Sequence, residues 1–248
     1  MAMDILARYG IKEVADVTFY KISDGSDGKA KGEPTIPVLY LDTLKVSTIE
    51  QTAENTSARG GKGNPELIMW DYGKEITVTL EDALFSAKSM AMMYGVNMED
   101  AEAFAEETSV LKTWKKSQVK DGKFYINGQE VTPADIKYYK ANGEDGSASD
   151  FDYATGTITV AGQKIVISSD KFPGTYYVTG DTYARSETTG EDEFFQFIIP
   201  KAKMQSEVTL TMEAEGDPST FNMTLKVLRP EDGDMMKLVK YSLPKVEG

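Results

Sequence analysis

The sequence predicts a mainly β, antiparallel fold, and three observations carry that prediction. Apolar and polar residues alternate with a period of two through most of the chain, turn residues separate the alternating segments, and helical periodicity is convincing only in a short stretch before Gly95.

In chain order, residues 14–22 read as a strand and Asp24-Gly25-Ser26-Asp27-Gly28 as a turn, with further strands over 35–40 and 44–54. Residues 55–72 predict a long connection, and connections of that length inside compact domains are usually functional or disordered. Glu75-Ile76-Thr77-Val78-Thr79-Leu80 alternates as a half-buried strand. Glu81 and Asp82 then open a helix over 82–94, since carboxylates favour the positive end of the helix dipole, and Gly95 caps it. The acidic stretch 98–108 fits a second helix or a solvated loop.

The middle of the chain predicts hairpins over 124–131, around Asn127-Gly128, and over 157–167, around Ala161-Gly162. Residues 142–152 between them are rich in Gly, Ser and Asp, and 176–183 reads as a strand. Near the end, 194–199, 206–214 and 221–228 read as three consecutive strands, linked by 200–203 and 215–219, for which an antiparallel meander is the economical arrangement. The expected organisation is a β core begun by 1–109 and completed by 191–248, with a hairpin-rich insertion over 110–190.

Composition narrows the chemistry. With 248 residues, 40% of them hydrophobic, the chain has enough material for a core without covalent staples. It contains no Cys and no His, which removes disulfides, thiolate nucleophiles, His-dependent triads and most transition-metal sites. Carboxylate pairs, Ser–Lys arrangements and oxygen-ligated Ca²⁺ or Mg²⁺ are what survive. The net charge of −13 argues against a sequence-independent grip on phosphates or anionic lipid. No apolar run approaches the ~20 residues that span a bilayer, and the amino-terminal residues carry no apolar stretch typical of a signal peptide, so synthesis in a cytoplasm and no membrane partner are expected.

Specific motifs point away from catalysis. Gly60-Gly61-Lys62-Gly63 superficially resembles a phosphate loop, but Gly63 and Asn64-Pro65 follow the lysine where that loop needs a hydroxyl residue and a helix start. The Asp-rich turns around Asp24 and Asp145 lack the twelfth-position Glu of an EF-hand loop and read as Asx turns. Forty acids make carboxylate pairs available everywhere, so their presence selects no glycosidase site. No catalytic residue, cofactor or metal site is expected.

The acids on strands are more informative. Glu207, Thr209, Thr211 and Glu213 alternate with Val208, Leu210 and Met212, and Glu75, Thr77, Thr79 and Glu81 alternate with Ile76, Val78 and Leu80. A solvated outer sheet face accounts for the alternation, though not for a face of Glu and Thr with hardly any Lys.

The run Phe194-Phe195-Gln196-Phe197-Ile198-Ile199-Pro200-Lys201-Ala202-Lys203-Met204, followed by Glu207 through Leu225, resembles tail tube (major tail) proteins of tailed bacteriophages or related virion structural proteins, with weaker support from 45–93. That resemblance implies a β-sandwich or barrel-like core with a flanking helix, copies closing into hexameric rings, and rings stacking into a conduit for DNA in the virion tail. It implies partners in other copies of the chain and in other tail proteins, with DNA a repelled cargo rather than a ligand. Under it, Glu75, Glu81, Glu207 and Glu213 are candidates for a lumen-facing acidic surface that keeps the polyanion off the wall. The connection over 55–72 becomes an arm to a neighbouring subunit, with Leu67, Ile68, Met69 and Trp70 as apolar anchor and Arg59 and Lys62 meeting acidic partners. A baseplate or terminator subunit, or a monomeric carbohydrate- or host-binding β module, is the alternative.

Overall fold

A computed structural model describes residues 8–11, 13–84, 86–96, 109–121, 123–126, 128–132, 135–147, 149–150, 152–159, 164–205 and 220–241. The chain divides into two units, Met1–Met98 with Ile167–Gly248, and Glu99–Val166.

The first unit begins with β1 (Tyr9–Ile11), β2 (Asp16–Ile22), β3 (Pro34–Leu41), β4 (Leu44–Arg59), β5 (Glu66–Asp82) and α1 (Ala87–Met93). The second holds β6 (Ser109–Lys115), β7 (Val119–Lys120), β8 (Lys123–Ile126), β9 (Gln129–Val131), β10 (Asp135–Tyr139) and β11 (Tyr153–Thr159). The chain then returns to the first unit with β12 (Thr175–Ser186), β13 (Asp192–Met204), β14 (Phe221–Val227) and β15 (Lys237–Tyr241). The fold is mainly β and its strand pairings are antiparallel, as the sequence predicts.

Among the described residues the first unit forms one sheet in the order β3-β2-β12-β13-β14-β5-β4, with β1 added to β12 and β15 to β13. The strands at the two ends of this order, β3 and β4, are joined by Asp42 and Thr43 alone. A two-residue link cannot cross a flat sheet of this width, since each residue spans at most ~3.6 Å. The sheet therefore rolls until its ends meet, in a barrel-like arrangement. Residues 13–15 bridge the seam: Thr182 Oγ1 donates to the Glu13 carbonyl at 3.1 Å, and the Ala15 amide donates to Ser47 Oγ at 3.4 Å. Inside, Phe19, Leu39, Leu41, Ile76, Val78, Leu80, Val178, Met223 and Leu225 form the core with Met92 and Met93 of α1. Ile76, Val78 and Leu80 point inward while Glu75, Thr77, Thr79 and Glu81 are half-exposed, which is the predicted alternation.

Four sequence expectations change. Residues 55–59 and 66–72 are not a loop but the distal parts of β4 and β5, which leaves 60–65 as the turn. The polar run Asn55-Thr56-Ser57 disguised a strand with two wet faces, whereas its ladder with β5 satisfies the backbone groups. The helix begins at Ala87 rather than 82. Asp82 completes β5, where it is buried and accepts a hydrogen bond from Thr43 Oγ1 at 2.5 Å, and Ser86 instead forms a capping box with Ser89. β13 continues through Pro200 to Met204, because the irregularity between Tyr176 and Val178 on β12 absorbs the missing donor. Residues 164–167 form no strand, so no 157–167 hairpin is completed on that side. Residues 206–214, 215–219 and 98–108 lie outside the described residues.

The second unit contains two three-stranded sheets, β10-β11-β6 and β7-β8-β9. Phe124 faces Val131 across the β8–β9 hairpin, with Gly128 at φ 82° in its turn, as the Asn-Gly signal predicts. Trp114, Phe124 and Ala154 form its core, and the Trp114 and Phe124 rings lie 4.7 Å apart.

Candidate functional site

β4 and β5 are much longer than the body they belong to requires. Their basal halves roof the core, and beyond Gln51 and Ile76 the hairpin projects as an arm in which both strands are almost entirely exposed. Pairing runs unbroken in direction from Thr52 opposite Glu75 to Arg59 opposite Glu66. Gly61 at φ 84° and Gly63 at φ 91° shape the turn, which the Gly60 amide closes by donating to the Pro65 carbonyl at 3.2 Å.

A bulge decides which side chains share a face. Between the Thr52–Glu75 and Glu54–Tyr72 pairs, β4 advances by two residues and β5 by three, so Gly73 and Lys74 together oppose Ala53. Gly73 has φ 63°, the left-handed glycine of a G1-type bulge. Residues directly opposite each other project to the same side. Tyr72, Trp70 and Ile68 therefore join Glu54, Thr56 and Ala58 on the ribbon face that also carries Glu75, Thr77, Thr79 and Glu81. Uninterrupted alternation from Glu75 would have sent them to the other face. The signal for this in the sequence was Gly73 within an otherwise strand-like run.

The structure brings together Leu67, Ile68, Met69 and Trp70, each more than half exposed, and adds Tyr72, which sequence reasoning missed. A two-stranded ribbon is marginal alone, and one with apolar groups on both faces leaves a surface suited to a partner. Within its own copy Arg59 already has a carboxylate beside it: its Nη2 lies 3.1 Å from Glu66 Oε2 across the same hairpin. Lys62 stands exposed in the turn.

The acidic strand face is real but bordered by lysines. Glu50 opposes Thr77, and with Glu54, Glu75 and Glu81 it gives this face four carboxylates. Glu75 Oε1 is 2.8 Å from Lys226 Nζ of β14. Lys203 lies directly opposite Lys226 on β13, and the two ammoniums diverge, Lys226 to Glu75 and Lys203 to the Pro173 carbonyl. Glu207 and Glu213 lie outside the described residues.

A second acidic focus escaped the sequence reading. Asp16 and Asp181 face each other across β2 and β12, a like-charge pair that is costly unless partnered. Tyr40 Oη donates to Asp16 at 3.3 Å, and Gln196 Nε2 and Tyr241 Oη donate to Asp181 at 2.9 and 3.4 Å. Burial and then these carboxylates push the Tyr40 and Tyr241 phenols above their ordinary range. Among the described residues no group of three or more carboxylates is arranged to hold a metal ion. Ser26 donates to Asp24 from its amide at 2.8 Å and its hydroxyl at 2.5 Å, an Asx turn as expected. No helix of the described residues is long and apolar enough to cross a membrane. What this surface offers is shape, an apolar arm and acidic faces.

Comparison with known proteins accords with that. The tail tube protein of Bacillus phage SPR is 26% identical over 253 residues, which cover 92% of this chain and 87% of that protein. The model of the YomU/Tube protein family matches residues 9–240, from β1 into β15 and through both units. The chain belongs to the YomU/Tube protein family.

Proposed function

We propose that this chain is a structural subunit of a phage tail tube, working in the virion by assembly with its own copies and with other tail proteins rather than by catalysis. The family and the relative's description support the tube role. The observation that carries the assembly reading is the β4–β5 arm, which exposes Leu67, Ile68, Met69, Trp70 and Tyr72 beyond its own core. Its anchors engage a neighbouring copy, hexameric rings close, and rings stack into a conduit for DNA. Along the arm, beyond the rolled sheet, β4 keeps an edge unpaired among the described residues, which a neighbouring copy can extend.

The face bearing Glu50, Glu75 and Glu81 lines the lumen in this reading and repels DNA. The test is negative-stain imaging and sedimentation of the purified chain, alone and with nucleating tail proteins. Rings or tubes are expected. A monomer that persists at high concentration with those proteins present overturns the proposal.

A further inference from the structure

A cavity of about 240 Å³ opens inside the rolled sheet of the first unit. Its walls are mostly apolar, with Val17, Ile49, Leu80, Val178 and Phe197 among them, and Glu13, Ser47 and Thr182 supply polar atoms at the segment that bridges the seam. Small residues create the room. Gly180 on β12 lies beside this wall: a Cβ added there would stand in ordinary contact, 3.5 Å from the Ala15 Cβ and 3.8 Å from Val17 Cγ2. Ile11 and Ile49, both exposed, mark its mouth at the base of the arm. An apolar cavity of roughly 150 Å³ already accepts a benzene ring, so this one admits a larger aromatic group.

We infer that this cavity is a socket for the Ile68–Trp70–Tyr72 stripe of a second copy of the chain, with Trp70 as the inserted group. The inference rests on the tube reading above. The stripe cannot fill the socket of its own copy. Trp70 pairs with Thr56, seven residues along β4 from Ile49, which at ~3.3 Å per residue places it roughly 23 Å beyond the mouth. The stripe also occupies the ribbon face opposite to Ile49 and Val78. Arm and socket are thus different surfaces of one subunit, which makes the contact heterologous, the kind that closes rings or extends filaments. Both surfaces are apolar, and neither has a covering partner among the described residues of its own copy.

The experiment uses two full-length variants, Trp70→Asp, which disables the arm, and Gly180→Leu, which fills the socket. Each alone is expected to stay a folded monomer by circular dichroism and sedimentation. An equimolar mixture is expected to stop at a 1:1 dimer, because only one intact arm and one intact socket remain. Trp114 is fully buried, so a blue shift of tryptophan emission when the wild type assembles reports Trp70. Should Gly180→Leu fail to fold, Gly180→Ala, whose added carbon meets only ordinary contacts, narrows the socket and is expected to slow assembly severalfold.

Tubes formed normally by the socket variants, or Trp70 still open to acrylamide quenching in wild-type tubes, overturn the socket while leaving the tube function standing. So does a small hydrophobic molecule found by native mass spectrometry in wild-type monomer and lost in the Gly180 variant. Wild-type chain that never assembles with its nucleating proteins refutes the tube reading itself.

Discussion

Arg59 and Glu66 face each other across the last rung of the β4–β5 ladder, with 3.1 Å between Nη2 and Oε2. The pair closes the arm beneath its glycine turn. Both side chains are substantially exposed, so the pair contributes at most about 1 kcal/mol. Exchanging the charges, Arg59→Glu with Glu66→Arg, is expected to preserve both melting temperature and assembly. Loss of assembly in the exchanged protein, with its fold intact, would show that Arg59 serves a partner instead.

Gly73 holds φ 63° in the bulge. A side chain there costs about 1–2 kcal/mol in that conformation, and Gly73→Val adds β-branching to the strain. Deleting Gly73 removes the extra residue and leaves Thr52 opposite Glu75 and Glu54 opposite Tyr72. Deletion is therefore expected to be tolerated better than substitution. Hydrogen exchange over 54–72 checks this: Gly73→Val should accelerate it while global unfolding changes little.

Gly95 ends α1 with φ 75°, and a Cβ there would lie 2.4 Å from the Phe172 carbonyl carbon and 2.7 Å from the Pro173 nitrogen. Both obstacles are backbone and cannot step aside cheaply. Gly95→Ala should destabilise the first unit by more than about 3 kcal/mol, since positive φ and a steric clash add. Urea denaturation followed by far-ultraviolet circular dichroism measures it.

Tyr176 packs edge-on against Phe19, with ring centroids 6.0 Å apart, and burial raises its phenol above the ordinary value. For an acid whose folded-state pKa is raised, the stabilising contribution is complete below the unfolded value. It fades as pH climbs from about 10 toward the folded value, because the unfolded chain ionises first. Stability should thus fall in that alkaline window, and less steeply in Tyr176→Phe. Melting temperatures at pH 9 to 11 provide the comparison.

Glu50, Glu75 and Glu81 share one sheet face, with Lys226 as the nearest counter-charge. Replacing Glu50 and Glu81 by Lys is expected to leave folding and tube formation intact, because both side chains are partly or fully solvated. DNA delivery by particles carrying the variant should drop at low salt and partly recover at high salt, as screening weakens the attraction. Unchanged delivery through correctly formed tubes would remove this face from the lumen.

Much of the strand content was legible because alternation is written at positions two apart. Ile76, Val78 and Leu80 announced their burial, and Asn127-Gly128 announced its turn. The arm was harder to read. A ribbon solvated on both faces has no inward side to pattern, so 55–59 and 66–72 carried the composition of a loop while the ladder between them supplied the order. Glu81 and Asp82 looked like a helix start because carboxylates suit one, yet Asp82 found Thr43 at the end of the β4–β5 ladder first.

By itself the sequence determined that this chain is an acidic, mainly β protein without the residues of thiol or imidazole chemistry, and it marked the apolar run Leu67 through Trp70. Those are properties of single residues and near neighbours. Tertiary structure alone decided that β3 and β4 close the rolled sheet, that Arg59 lies opposite Glu66, that Lys203 and Lys226 border the acidic face, and that one bulge turns Tyr72 and Trp70 to that face. Each depends on which strand meets which, and in what register. Such pairing is settled by the summed burial of distant segments, to which a local pattern contributes only its own share.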